Sequence, residues 1–241
     1  MKKQFVKVEN FRKLAIAAES LKGYQSLERF GLLHGFTGTG KTTAIAYLCN
    51  QTNGIYIRAR RSWTPTSMLK TICSELCVDS LPYCDQMVNL IVRELNQEQR
   101  ILFIDEADYL FNERKLLDLL RDVHDLSTNP IFLVGMEEIE RKLSKYPQLS
   151  RRTTHFVKFQ PISFEDAGLV ARTCCEVKFG ERLLRWMYTD SKGNIGLLSV
   201  ALERVENYAI LHGLTFIDID HWGDQPFFLK PTKKKKQDGE F

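Results

Sequence analysis

The chain has 241 residues, enough for one large domain or a domain with a small companion, and its 44% apolar and 27% charged residues are the balance of a globular protein with a sizeable core. No apolar run approaches the roughly eighteen residues that span a bilayer, and the basic start MKKQFVKVENFRKL has no apolar segment behind it, so neither a membrane span nor a secretory leader is expected. The formal charge of +4 is modest but uneven: Arg58, Arg60 and Arg61 fall together, Arg151 and Arg152 are adjacent, and Lys230 and Lys233 to Lys236 crowd the end. Such local clusters suit a protein that touches nucleic acid with one face, and equally an ordinary solvated surface.

In chain order, GLLHG (31–35) reads as a buried strand, and Thr42 to Asn50 as the helix behind it. GIYIRA (54–59) is a second strand. Thr64 before Pro65 opens a helix with proline in its first turn, and Cys84 to Gln97 is another helix. RILFIDEAD (100–108) starts with an apolar run that predicts a strand buried on both faces. Leu110 to Leu126 reads as one long helix, NPIFLVG (129–135) as a central strand, and THFVKFQPI (154–162) as an alternating strand nearer the sheet edge. Strands alternating with helices predict an α/β fold, a parallel sheet with helices on both faces. After Pro161 the strands stop, and Ser163 to Glu176, Gly180 to Asp190 and Gly196 to Leu211 read as helices of a small all-helical lid. The expected organisation is a lead-in over 1–30, a core over 31–161, a lid over 162–213, and an extension over 214–241 whose lysine-rich tail is expected to be disordered. Cys49, Cys73, Cys77, Cys84, Cys174 and Cys175 form no CxxC pair and read as reduced thiols of a cytosolic protein.

Two stretches carry chemistry. Gly35-Phe36-Thr37-Gly38-Thr39-Gly40-Lys41-Thr42, followed by Thr43, fits G-x-x-x-x-G-K-[ST] in full. Glycines at these positions let successive N–H groups turn inward around phosphate oxygens, and the helix that follows adds its positive N-terminal end. Lys41 reaches the β- and γ-phosphates of a nucleoside triphosphate such as ATP, and Thr42 offers a hydroxyl to Mg²⁺. The second stretch is ILFIDE: Asp105, at the tip of a buried strand, holds the Mg²⁺ through water, and Glu106 polarises the attacking water. An Asp-Glu pair there points to hydrolysis.

Together, GFTGTGKT, ILFIDEAD and a C-terminal helical lid resemble the P-loop NTPases of the AAA+ ATPase superfamily. Within it the chain looks most like the DNA-transposition group of the phage Mu B protein, TniB and TnsC. The narrower likeness rests on VENFRKLAIAAESL, on GIYIRARRSWTPTSMLKTICSELCV, and on KGNIGLLSVALERVENYAILHG, similar to a lid segment of the form G-N-x-R-x-L. ATPases of the ExeA secretion type, helicase loaders and signalling or immunity ATPases share parts of the outline.

The resemblance implies a site shared between subunits of a homo-oligomer, with Arg151 or Arg152 as the arginine finger and Arg151 preferred. It implies a ring or helical filament around duplex DNA held without regard to sequence, and a transposase as partner. Arg58, Arg60, Arg61 and Lys70 are the expected phosphate contacts, Arg114 and Lys115 weaker ones, with no membrane partner. The expected setting is the cytoplasm, with a bacterial, phage or mobile-element gene. Two departures point to slow hydrolysis, with ATP as an assembly switch. Gly135 and Met136 stand where the family places an Asn, Thr or Ser that orients water, and Gly196 replaces the lid arginine, leaving Arg204 as a remote substitute.

Overall fold

The computed structural model describes residues 1–2, 4–23 and 29–228. The lysine-rich tail, and residues 24–28 of the expected lead-in, lie outside the described residues. The chain separates into two compact units, one of Lys7–Ile162 and one of Met1–Val6 with the chain from Ser163 onward.

The first unit runs α1 (Glu9–Gly23), β1 (Phe30–Gly35), α2 (Lys41–Thr52), β2 (Ile55–Arg58), α3 (Pro65–Glu75), α4 (Cys84–Gln97), β3 (Leu102–Asp105), a 3-10 turn (Ala107–Asn112), α5 (Arg114–Ser127), β4 (Ile131–Gly135), α6 (Ile139–Leu143), α7 (Pro147–Ser150) and β5 (Thr153–Phe159). Its five strands are parallel, in the order β2-β3-β4-β1-β5. The three inner strands are buried at every position, as continuous apolar runs require when helices cover both faces, while β5 alternates because it forms an edge. One face buries Leu32, Ile57, Ile104 and Leu133 against α3, α4 and α5, whose Leu116, Leu117, Leu120 and Val123 recur at helical spacing. The alternate residues face the other way, where the rings of Phe103 and Phe132 stack at 5.7 Å and α1 and α2 pack on the sheet.

Local chemistry sets the helix boundaries. Thr64 and Ser67 form a reciprocal capping box at α3, with Pro65 in the first turn. The single helix expected over Leu110 to Leu126 is instead broken: Glu113 is extended (φ −136, ψ 107), so a 3-10 turn ends there and α5 starts afresh.

The second unit holds α8 (Phe164–Cys174), β6 (Lys178–Phe179), α9 (Glu181–Ser191), α10 (Ile195–Leu211), β7 (Phe216–Ile217) and α11 (Ile219–Trp222). Ser163 caps α8 by accepting the Asp166 N–H, and Asn194 caps α10 by accepting that of Leu197. The unit is not all helical: β6 and β7 pair in parallel, Lys178 with Phe216 and Phe179 with Ile217. Two-residue strands carry too few side chains to show a period of two, which is why the pattern of residues missed them. Among the described residues no helix is long and apolar enough to cross a membrane, and all six cysteines are free thiols.

A polar chain running from a buried histidine to the surface ties the lower end of the sheet to α5. His124, fully buried, accepts the Arg29 N–H at Nε2 (3.2 Å), faces Asp125 at Nδ1 (3.2 Å) and packs its ring on Phe30. Asp125 receives both arms of the Arg152 guanidinium, at 2.9 and 2.8 Å, and the Arg152 carbonyl accepts the Phe30 N–H. Burial holds His124 below the ordinary histidine pKa, against the opposing pull of Asp125. The unfolded chain therefore binds the extra proton first, and the stability this histidine contributes is present above about pH 6.5 and lost as pH falls below it. Thermal unfolding followed from pH 7.5 to 5 is expected to show a flatter acid-side decline in His124→Gln than in the wild type; equal slopes would remove His124 from the acid sensitivity.

Candidate functional site

The site lies at the carboxyl ends of β1, β3 and β4. The loop from Gly35 to Gly40 leaves β1 and enters α2, and Gly38 (φ 80) and Gly40 (φ 88) take left-handed conformations that side chains resist. Thr39 pins the loop by donating its hydroxyl to the Phe36 carbonyl (2.8 Å), while Phe36 and Thr37 are exposed. The first intrahelical bond of α2 runs from Ala44 to Gly40, so the N–H groups of Lys41, Thr42 and Thr43 belong to the donor-rich opening of the helix. The Lys41 ammonium donates to the carbonyls of Gly35 (2.7 Å) and Phe36 (2.9 Å). Burial lowers its pKa, against the attraction of Asp105, Glu106 and Asp108.

Asp105 is buried at the tip of β3. Its Oδ2 accepts the Thr42 hydroxyl at 2.8 Å and the Tyr56 hydroxyl at 3.1 Å, and its Oδ1 accepts the Glu106 N–H at 2.9 Å. The two residues expected at Mg²⁺ are thus brought together. Among the described residues no cluster of three His, Cys, Asp or Glu forms a metal cage. A hydroxyl and one carboxylate fit Mg²⁺, which keeps several waters and shares its coordination with nucleotide phosphates. Glu106 sits in a left-handed conformation (φ 54, ψ 32), a strained geometry for a residue other than glycine.

Arg58, one of the expected phosphate contacts, reaches Glu106, with Nη2 to Oε1 at 3.0 Å, while its side chain stays largely exposed. The register of β2 on β3 sets this directly, since Arg58 pairs with Asp105 and its side chain overlies the next residue. Arg60 and Arg61 follow it, exposed and without hydrogen bonds or ion pairs from their side chains among the described residues. Lys70 is exposed on α3, Lys115 on the first turn of α5, and Arg114 beside it approaches Asp118 at 3.8 Å. Of the two finger candidates, Arg152 is held by Asp125 and the Gln148 carbonyl, whereas Arg151 is exposed and its side chain carries no such bond among the described residues. Arg204 points its guanidinium at the Phe227 carbonyl (3.4 Å) in the second unit.

The end of β4 has its own arrangement. Asp108 accepts the Met136 N–H at 2.7 Å and the Lys142 ammonium at 2.7 Å. A Cβ on Gly135 would come within 2.5 Å of the Asp108 carboxylate and 2.4 Å of the Ile139 Cδ1, so a larger residue at this strand end would displace one or both side chains. The Met136 sulfur lies 3.6 Å from the Thr37 hydroxyl. Tyr56, Asp108 and Lys142 escaped the sequence reading. The i, i+2 spacing of Tyr56 and Arg58, which puts both on one face of β2 next to the acidic strand tip, was the available signal.

Residues 24–143 match the protein family described as AAA domain. No curated protein sequence matches significantly. Among solved structures, the ORC1 protein of Aeropyrum pernix in complex with DNA aligns with a TM-score of 0.60 at 20% identity, over 88% of this chain and 62% of that one. The ORC2 protein of the same organism, in ADPNP–ADP complexes, aligns at 0.68 and 16%, over 90% and 66%. RuvB of Thermotoga maritima, described as a Holliday junction branch migration motor, aligns at 0.56 and 19%, over 88% and 66%. The chain therefore spans less than two thirds of the length of each, and the likeness is one of fold.

With Glu106 as the residue that polarises water, Glu106→Gln is expected to bind ATP as the wild type does while turnover falls by about 10² or more. Phosphate release and nucleotide binding measured side by side check this; turnover near wild type would take the role from Glu106.

Proposed function

We propose that this chain, an AAA+ ATPase by its AAA domain and its fold, is an ATP-dependent assembly factor that oligomerises on duplex DNA, marks a target and recruits a transposase. The observation that carries the DNA part is the continuity of β2 with the basic turn after it. Arg60 and Arg61, exposed and without side-chain partners among the described residues, follow two and three residues beyond Arg58, which holds the carboxylate of Glu106. Exposed arginines aligned this way neutralise phosphates without reading bases. The transposase partner rests on the resemblance of the stretches around residues 8–21, 54–78 and 192–213 to the Mu B and TniB group.

In this reading the loop amides and Lys41 hold the triphosphate, and Thr42 and Asp105 hold Mg²⁺, which when bound neutralises charge on the β- and γ-phosphates. Glu106 orients the attacking water once its carboxylate leaves Arg58. Arg151, free on the surface, supplies positive charge to the γ-phosphate of a neighbouring copy. The thioether of Met136, set against Thr37, and the glycine at 196 offer no hydroxyl, amide or guanidinium to place water or touch the phosphate, which supports slow turnover and ATP acting as an assembly switch.

Electron microscopy with ATP, with and without duplex DNA, is expected to show rings or filaments that depend on DNA; particles indifferent to DNA would favour a secretion-type or signalling ATPase. Replacing Arg60 and Arg61 together by alanine is expected to weaken binding and reduce the slope of log affinity against log salt by about 2, one for each lost phosphate contact. An unchanged slope would place the DNA elsewhere. Arg58→Ala frees Glu106, and DNA-independent hydrolysis is expected to rise about fivefold, the worth of a ~1 kcal/mol exposed ion pair. A rate at or below wild type in a steady-state assay would show that the pair does not restrain the carboxylate.

A further inference from the structure

The mechanism above leaves Tyr56 without a task, although its hydroxyl bonds the carboxylate at the centre of the site. A carboxylate offers about four lone-pair positions. Around Asp105 three are taken, two on Oδ2 by the hydroxyls of Thr42 (2.8 Å) and Tyr56 (3.1 Å), and one on Oδ1 by the Glu106 N–H (2.9 Å). Thr42 belongs to the phosphate loop and the Glu106 N–H is main chain, so among the described residues the phenol is the one donor contributed by a side chain from a different strand. Its place is fixed by the β2–β3 ladder, with Tyr56 opposite Phe103 and Arg58 opposite Asp105.

We propose that Tyr56 is a positioning residue that determines which divalent ion the site accepts, by closing Oδ2 of Asp105 and leaving a single lone pair on Oδ1 to meet the ion's hydration shell. Mg²⁺ sheds water reluctantly and is satisfied by a carboxylate that reaches it through water. Ca²⁺ takes more ligands and binds carboxylates directly, one or two oxygens at a time. A carboxylate with Oδ2 closed serves the first ion and penalises the second. The inference rests on Asp105 serving a nucleotide-bound Mg²⁺.

The test is Tyr56→Phe in the full chain, which keeps the ring and removes the hydroxyl. Binding of a fluorescent ATP analogue is titrated with Mg²⁺, with Ca²⁺ and with a chelator in place of both. The wild type is expected to bind more tightly with Mg²⁺ than with Ca²⁺, and the variant to narrow that ratio about tenfold, the scale of one hydrogen bond to a charged group, with binding under chelator unchanged. Paramagnetic resonance with Mn²⁺ and ¹⁷O-labelled water gives an independent readout: the variant is expected to lose a coordinated water as Asp105 ligates directly. An unchanged ion ratio and water count would overturn the assignment, as would a loss of affinity that is equal under chelator, which would mark Tyr56 as a structural support of the loop. A wild type whose nucleotide affinity ignores divalent ions would overturn the Mg²⁺ reading of Asp105 itself, and with it this inference.

Discussion

The 2.8 Å hydrogen bond between Thr42 and Asp105 is the contact on which the rest of the site depends. It joins the first turn of α2 to the tip of β3, two strands away from β1, with β4 between them. Adjacent strands are about 4.8 Å apart, so the two groups meet across the end of β4, where the loop's Thr37 lies 3.6 Å from Met136 and α2 packs on β3. That end is Gly135, and a side chain there would collide with Asp108 and Ile139. The strand order, the glycine at the end of β4 and the left-handed glycines of the loop all serve one short distance.

Around that contact the site is acidic and tightly bonded. Asp105, Glu106 and Asp108 are each engaged by a donor, from Thr42 and Tyr56, from Arg58, and from Lys142 and the Met136 amide. Burial, then the charge of Asp105, pushes the Tyr56 phenol up to about 12, so it remains a donor at neutral pH. The arrangement couples neighbouring elements: β2 carries one hydroxyl and one guanidinium to the two residues that close β3. Two residues of a single strand, just before the basic turn, thus contact both members of the acidic pair.

What could be read from the residues was local. The phosphate loop and the Asp-Glu tip are short contiguous patterns whose chemistry follows from spacing, and the alternation of β5 against the unbroken runs of β1, β3 and β4 announced its edge position. The pairing of Arg58 with Glu106 spans 48 residues and that of Arg152 with Asp125 spans 27, and both depend on strand register or helix packing that no local pattern encodes. The break at Glu113 was hidden because leucines on both sides keep the helical period, and the β6–β7 ladder because each strand has only two residues.

Arg151 and Arg152 look like a repeated residue, yet consecutive positions leave the backbone in different directions and these two have separate surroundings. Arg152 spans both oxygens of Asp125 with a planar fork, a geometry that an ammonium cannot reproduce. Among the described residues Arg151 has no hydrogen-bond or ion-pair partner for its side chain that its shape must match. Lysine at the first position keeps the charge it presents outward, whereas lysine at the second gives up the two-point grip on α5. Divergence at this dipeptide is therefore expected to be asymmetric, with the second arginine constrained by the shape of its carboxylate partner and the first constrained only in charge.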